Sequence, residues 1–149
     1  MLRFGRLAAR RLMRVVADTN IVVSGLLWRG NPRRVLDAAR EGTIDLFTTA
    51  TLLIELEDVL SRPKFSSRLA AVGVTPHDLV LGYAALASVI EPATIEPVIV
   101  ADPDDDAVLA CAIAAQGEII VSGDIHLLSL MQYRDVRVLT AAKLLTEIS

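Results

Sequence analysis

Four acidic residues stand at positions where an α/β protein typically carries out chemistry: Asp18, Glu55, Asp106 and Asp124. Asp18 ends a short apolar run and Asp124 follows the turn after another, so both are expected at the carboxyl edge of a parallel sheet. Asp106 begins a helix whose i+3, i+4 and i+7 neighbours are apolar, which indicates that its side chain faces inward. Glu55 stands at the border of an apolar helix face.

Carboxylates gathered in one place indicate a divalent cation. Two of them about 4 Å apart repel each other by roughly 4 kcal/mol at an effective dielectric constant of about 20, so a cluster needs protons or a hard cation to neutralise it. An all-oxygen donor set without paired cysteine or histidine favours Mg²⁺ or Mn²⁺ over Zn²⁺. Because such ions activate water and orient phosphodiesters, the acids predict phosphodiester hydrolysis.

Each acid also has an ordinary structural explanation when it is taken alone. Asp18 in the sequence DTN suits a helix N-cap, the aspartates at 104–106 suit the positive end of a helix dipole, and Asp124 after Ser-Gly suits a turn. Glu55 and Glu57 flank the same apolar stripe, and periodicity does not choose between them. Only the combination of acids favours a catalytic site.

Alternating strands and helices predict an α/β fold with three layers, in which helices cover both faces of a central, mostly parallel sheet of four to five strands. The expected strands are residues 14–18, 44–48, 119–121 and 136–139, with 98–100 beside the sheet. The expected helices include residues 21–27, 49–60, 64–72, 77–89 and 126–130. Asn31 is predicted to cap a further helix, with Pro32 at its first position.

The composition fits one domain with a buried core, since the chain has 149 residues of which 53% are apolar. The single cysteine, Cys111, excludes an internal disulfide, and an inert buried thiol in a cytoplasmic protein is expected. No run approaches the roughly 18 apolar residues that a membrane helix needs, so no membrane partner is expected. Aromatic residues make up 4% of the chain, so no stacking platform for single-stranded bases is predicted.

The first 14 residues contain five arginines and no acid. They lack the apolar core of a signal peptide. We interpret residues 1–12 as a disordered basic extension upstream of a single domain over residues 13–149. A nucleic-acid-binding arm is the alternative interpretation.

Four segments of the chain resemble, in order and spacing, the acidic motifs of PIN-domain nucleases: VVADTNIVVSGLL, LLIELEDVL, DPDDDAVLACAIA and IIVSGDIHLL. They are most similar to the toxin-type branch, the VapC-like toxins of type II toxin–antitoxin systems, whose genes stand beside an antitoxin gene. The resemblance extends from Met13 to the C-terminus. It rests on the ordered set of four motifs more than on any one of them.

The resemblance also implies roles for individual residues. It assigns metal binding and catalysis to Asp18, Glu55, Asp106 and Asp124. It selects Glu55 over Glu57, because the motif places its acid four residues before a valine. Asn20 and Ser122 match the polar residues beside the first and last acids, which would orient ligands or water. Asp105 is implied as a second metal position.

For the whole protein, the resemblance implies the three-layer PIN fold, dependence on Mg²⁺ or Mn²⁺, and cleavage of single-stranded or structured RNA. It further implies a homodimer and inhibition by a cognate antitoxin that reaches the acidic groove. The basic extension departs from the family pattern, which begins near Met13.

Fixed cations are expected near an acidic site that binds a polyanion, because metal ions supply only part of the attraction. Arg29, Arg33 and Arg34 lie just beyond the first strand and its short helix. We predict that they line the mouth of the site and contact RNA phosphates. Ordinary solvated helix charge is the alternative.

The competing hypothesis is a non-catalytic module of the same fold that binds RNA or a protein partner. The complete set of acids argues against it. A phosphoacceptor receiver domain needs an acid pair after the first strand and a suitably placed lysine, whereas this strand ends in DTN and the only lysines are Lys64 and Lys143. A haloacid-dehalogenase-type phosphatase needs a second acid where Asn20 stands.

Overall fold

A computed structural model describes residues 12–96 and 103–148 of the chain, and a six-stranded sheet runs through its centre. The strands are β1 (Met13–Ala17), β2 (Ile44–Thr48), β3 (Ser88–Val89), β4 (Ile119–Val121), β5 (Gln132–Tyr133) and β6 (Val136–Leu139). Their order across the sheet is β3–β2–β1–β4–β6–β5. Neighbouring strands are parallel, except that β5 runs antiparallel to β6.

Helices follow most of the strands along the chain. They are α1 (Thr19–Leu27), α2 (Asn31–Arg40), α3 (Ala50–Leu60), α4 (Ser66–Val72), α5 (Pro76–Leu86), α6 (Pro103–Ala114), α7 (Ile125–Leu130) and α8 (Ala141–Ile148). A 3₁₀ turn, Pro63–Phe65, joins α3 to α4.

The central strands are short apolar runs that are buried on both faces, as parallel strands usually are. Successive side chains of a strand point to opposite faces. Val15 of β1 and Ile119 of β4 therefore belong to one hydrophobic core, while Val16 and Ile120 belong to another on the opposite face. α1, α2, α4, α5 and α8 pack in the first core and α6 and α7 in the second, while α3 contributes to both. The predicted three-layer α/β/α architecture is confirmed.

The edges of the sheet differ from the prediction. The helix expected over residues 77–89 ends at Leu86, and Ser88–Val89 pairs with β2 as an edge strand instead. Gln132–Tyr133 adds an antiparallel strand at the other edge, which was not predicted. A two-residue strand is too short for alternation to appear in the sequence, and these two edges give six strands in place of four to five. The possible strand at 98–100 lies outside the described residues.

The predicted N-cap of α2 is wrong by one residue. Gly30 occupies the cap position with a φ of 135°, and Asn31 is the first helical residue. That φ is open to glycine and strained for residues with a Cβ atom. The cap position therefore requires this glycine.

The N-terminal extension predicted for residues 1–12 lies, except for Leu12, outside the described residues. Within the described residues, no single helix is long and apolar enough to cross a membrane, whereas a bent pair, Pro63–Val72 with Pro76–Leu86, reaches that length and composition.

Candidate active site

A cleft lies at the carboxyl edge of the sheet, where β1 and β4 end side by side. Asp18 directly follows β1, and its N–H donates to the carbonyl of Val121, the last residue of β4, at 3.0 Å. The cleft has a volume of about 150 Å³. Its walls contain four carboxylates, those of Asp18, Glu55, Asp105 and Asp124. This is the edge at which parallel α/β sheets bind ligands.

Asp18 is nearly buried, with 4% of its surface exposed. Its Oδ1 accepts a hydrogen bond from the Ile21 N–H at 2.9 Å, and its Oδ2 accepts one from the Ser122 hydroxyl. Burial raises the pKa of Asp18 above its usual range and the charge of Asp124 adds to this, although the bonds from Ser122 and Ile21 act in the opposite direction. Asp18 therefore caps α1 and also places in the cleft a carboxylate whose ionised form is disfavoured by burial.

Ser122 joins the ends of the two central strands. Its side chain is fully buried, donates to Asp18 and accepts a hydrogen bond from the Asp124 N–H at 2.9 Å. A buried hydroxyl bonded to the Asp18 carboxylate and to the Asp124 backbone N–H holds that carboxylate against the turn that carries Asp124, which is the role of a positioning residue.

Asp124 also has two functions in the local structure. Its Oδ1 accepts hydrogen bonds from the N–H groups of His126 at 2.7 Å and Leu127 at 3.2 Å, so it caps the short helix α7. The half-buried side chain lines the cleft at the same time. Asn20, in the first turn of α1, is exposed on the cleft wall.

Glu55 is the acid that α3 contributes to the cleft. It lines the cleft together with Val59, one helical turn later, and its Oε1 accepts a hydrogen bond from the Thr19 hydroxyl at 2.5 Å. Glu57 turns to another side of α3, where its Oε1 lies 3.6 Å from Nδ1 of His77. The geometry agrees with the choice of Glu55 that the motif implied.

On α6 the structure places Asp105, and not Asp106, in the cleft. Asp105 is 7% exposed and shares the cleft wall with Val108, which lies one turn further along the helix. Asp106 is half-buried and does not line the cleft. Because α6 is apolar almost all round, its sequence contains no stripe that fixes its rotation. The geometry favours Asp105 for the position that the motif gave to Asp106.

The donor atoms of the cleft suit a hard divalent cation, since they are carboxylate oxygens. Among residues 12–96 and 103–148, no three Asp, Glu, His or Cys side chains lie close enough together to hold one ion directly. The carboxylates are spread around the cleft walls, so direct binding by three of them requires side-chain rotation. Mg²⁺ often binds through one or two carboxylates and keeps several waters, a mode that such spacing permits.

The arginines predicted at the mouth of the site lie elsewhere. Arg33 donates from Nε and Nη2 to two carbonyl groups at the end of α1, both at 3.0 Å, and so closes that helix. Among the described residues, the cleft lining includes none of Arg29, Arg33 and Arg34. Arg62, just after α3, lines it instead.

Sequence analysis missed two residues of the cleft, Thr19 and Arg62. Thr19 stands next to Asp18 in the first motif, but only the packing of α1 against α3 shows that it reaches Glu55. Arg62 lies beyond the end of α3 at Leu60, in extended backbone, so helical spacing from Glu55 could not indicate it.

Comparison with known families agrees with this geometry. The sequence model of the PIN domain family matches residues 14–126, which is more than half of the chain and includes all four cleft carboxylates. No curated protein matches the chain.

Proposed function

Because the chain belongs to the PIN domain family, whose members are generally metal-dependent nucleases, we propose that it is an endoribonuclease that hydrolyses RNA phosphodiester bonds with Mg²⁺, or Mn²⁺ as a substitute. The observation that carries the proposal is the convergence of four carboxylates from four separate elements on one cleft. Burial and the charge of Asp124 both raise the pKa of Asp18, and a cation bound in the cleft would offset both effects.

In this proposal the cation is held by the carboxylates of Asp18, Glu55, Asp105 and Asp124. A bound divalent cation polarises the phosphoryl oxygen of a substrate and makes water a better nucleophile. Asp18 fits this role because a nearby cation favours its ionised form, which burial otherwise disfavours.

Three neighbouring residues support the acids. The Ser122 hydroxyl orients Asp18, and the Thr19 hydroxyl orients Glu55. Asn20 presents an exposed carboxamide to water or substrate that enters the cleft.

The test is cleavage of a labelled single-stranded RNA by the purified chain, with and without Mg²⁺. We expect Asp18→Asn and Asp105→Asn each to lower the rate by about 100-fold or more, the upper range for loss of a metal-site partner. Asp106→Asn should have a much smaller effect. Glu57→Gln is the matched control, because Glu57 lies on α3 two residues from Glu55 and pairs with His77 outside the cleft.

Two results would contradict parts of this proposal. Cleavage that persists without divalent cations, or in Asp18→Asn, would refute a metal-dependent mechanism in this cleft. Loss of cleavage in Asp106→Asn together with full activity in Asp105→Asn would show that Asp106, and not Asp105, is the metal-binding residue of α6.

The four-motif resemblance supports a biological role as the toxin of a toxin–antitoxin pair that acts in the cytoplasm as a homodimer under a cognate antitoxin. Growth arrest on expression, relieved by the product of a neighbouring gene, would support this role. Sedimentation velocity measures the oligomeric state, and a monomer at all concentrations would contradict the homodimer.

The same proposal treats residues 13–149 as the catalytic domain and the preceding basic segment as dispensable. Deletion of residues 1–12 should leave RNA cleavage and RNA affinity unchanged. Weaker RNA binding after the deletion would indicate the nucleic-acid-binding arm instead.

A further inference from the structure

A second surface, at the end of α1 opposite the one that Asp18 caps, combines aromatic rings with basic side chains. Trp28 follows α1, and its ring centroid lies 5.9 Å from that of Phe65, at an angle of 56° between the planes. The Arg68 guanidinium carbon lies 5.9 Å from the Trp28 centroid, and Nζ of Lys64 lies 5.1 Å from the Phe65 centroid. We refer to Trp28, Lys64, Phe65 and Arg68 as the aromatic strip.

Arg62 connects the cleft with the aromatic strip. Its side chain lines the cleft, and its carbonyl accepts a hydrogen bond from the Phe65 N–H at 3.0 Å. Within the described residues, it is the one basic side chain in a cleft lined by four carboxylates. A polyanion that approaches these acids therefore meets this guanidinium at the side where the strip begins.

The guanidinium of Arg62 is available for a phosphate. Its side chain is 53% exposed, and its ion-pair partner Asp58 lies 3.8 Å away with 78% of its side chain exposed. An exposed pair of this kind contributes little to stability. Arg62 can exchange Asp58 for a phosphate group, which guanidinium binds with two parallel hydrogen bonds.

The Trp28 ring is held in place but not covered. It is 42% exposed, and Arg68 beside it is fixed by a hydrogen bond from its Nε to the Leu27 carbonyl at 2.7 Å. Arg68 and Phe65 lie beside this ring. The part of Trp28 that stays exposed adjoins basic side chains, which suits a nucleic-acid base and its phosphates because every base has a π-face. The low aromatic content did not indicate the aromatic strip, because the strip contains the only tryptophan of the chain.

We propose that a single RNA strand held in the cleft continues past Arg62 onto the aromatic strip, where one base stacks on Trp28. Arg62 and Lys64 contact the phosphates on either side of that base. The inference rests on the proposed ribonuclease function. It narrows the range of RNA substrates, because a base in a duplex cannot offer its face to an aromatic ring. The substrate class is therefore single-stranded RNA.

Trp28 provides its own reporter, because the fluorescence of a chain with one tryptophan comes from this position. With Ca²⁺ in place of Mg²⁺ to keep the RNA intact, an octanucleotide should quench this fluorescence. A dinucleotide, which occupies the cleft without reaching Trp28, should leave the fluorescence unchanged. A duplex of the same sequence should quench much less than the single strand.

Fluorescence anisotropy with the labelled octanucleotide then measures the contribution of each side chain. We expect Trp28→Ala to weaken binding by about tenfold, within the range for one lost base stack, and Trp28→Phe to restore most of it. Arg62→Gln should weaken binding and reduce the salt slope by about 0.7, the value for one phosphate contact of a single strand. A merely structural role of Arg62 would leave the slope unchanged.

Two matched variants control for the loss of an aromatic or a basic group. Tyr133→Ala removes a ring from the far edge strand β5; the guanidinium carbon of Arg134 lies 5.2 Å from the centroid of this ring. Arg40→Gln removes an arginine at the end of α2 that pairs with Asp37 at 2.7 Å. Both variants should bind the octanucleotide as the wild-type chain does.

The outcomes separate this inference from the proposed function. If the wild-type chain binds the octanucleotide and both Trp28→Ala and Arg62→Gln bind it equally well, the strip is refuted and the cleft proposal stands. If the wild-type chain binds no RNA, both are refuted. If Trp28→Ala changes the sedimentation coefficient but not RNA affinity, the strip is a protein contact and the inference is overturned.

Discussion

Replacing Ser122 with alanine perturbs the bond that joins the two central acids. The substitution removes the donor to Asp18 Oδ2 and the acceptor for the Asp124 N–H, both in a fully buried position. A hydrogen bond to a charged group contributes about 1.5–3 kcal/mol and a neutral one about 0.5–1.5 kcal/mol. At pH values where Asp18 is ionised, the metal-free protein should therefore lose about 2–4 kcal/mol of unfolding free energy.

This loss should depend on pH. Burial raises the pKa of Asp18, and the hydrogen bond from Ser122 lowers it by favouring the ionised form. The charge-assisted part of the bond is therefore fully present above the pKa of Asp18 and disappears as the pH falls through it. At acidic pH the cost of Ser122→Ala should shrink by about 1 kcal/mol, the difference between a charge-assisted and a neutral hydrogen bond.

Urea unfolding followed by circular dichroism, with a chelator present and at several pH values from acidic to neutral, measures both effects. Ser129→Ala is the control, because Ser129 is exposed and its hydroxyl donates to the His126 carbonyl at 3.0 Å; its cost should stay below about 0.5 kcal/mol. A cost for Ser122→Ala below about 1 kcal/mol where Asp18 is ionised, or one that is the same at every pH, would refute the reasoning.

Four further substitutions test the fold around the cleft by thermal unfolding. Gly25→Ala should destabilise by about 1–3 kcal/mol, because its Cβ would lie 2.8 Å from Leu36 Cδ1, whereas Gly82→Ala in α5 meets no atom within 4 Å and should stabilise by up to about 1 kcal/mol; equal effects would contradict the close packing of α1 on α2. Arg33→Gln should cost about 1–2 kcal/mol through the lost bonds to α1 and leave RNA affinity unchanged, so weaker RNA binding would revive its predicted role. Asp18→Asn should make the metal-free protein more stable at pH values above the raised pKa of Asp18, where burial of its charge costs free energy, while cleavage is lost; a lower melting temperature at every pH would contradict the buried charge.

The sequence predicted the centre of the fold because local patterns determine it. The apolar runs of β1 and β4 fit strands that are buried on both faces. Parallel strands bring their carboxyl ends to one edge, so Asp18 and Asp124 could be placed together without knowledge of the packing. The N-cap at Thr49 and the glycine at 73, which has a φ of 80°, likewise set their helix ends locally.

The parts that sequence analysis did not predict depend on packing between distant elements. The rotation of α6, which brings Asp105 into the cleft and not Asp106, has no local signal in a helix that is apolar on nearly every side. Arg33 was expected to contact substrate, but its distance to the carbonyls of α1 depends on how α2 packs against that helix. The pairing of Trp28 with Phe65 joins residues from two separate turns.

Binding of Mn²⁺ tests most directly whether the cleft carboxylates hold a divalent cation. Electron paramagnetic resonance of unbound Mn²⁺ measures uptake by the wild-type chain, Asp105→Asn and Asp106→Asn under the same conditions. We predict that the wild-type chain takes up about one or two equivalents, that Asp105→Asn loses the tighter site, and that Asp106→Asn retains it. No uptake by the wild-type chain, or equal uptake by wild type and Asp105→Asn, would contradict a metal site in this cleft.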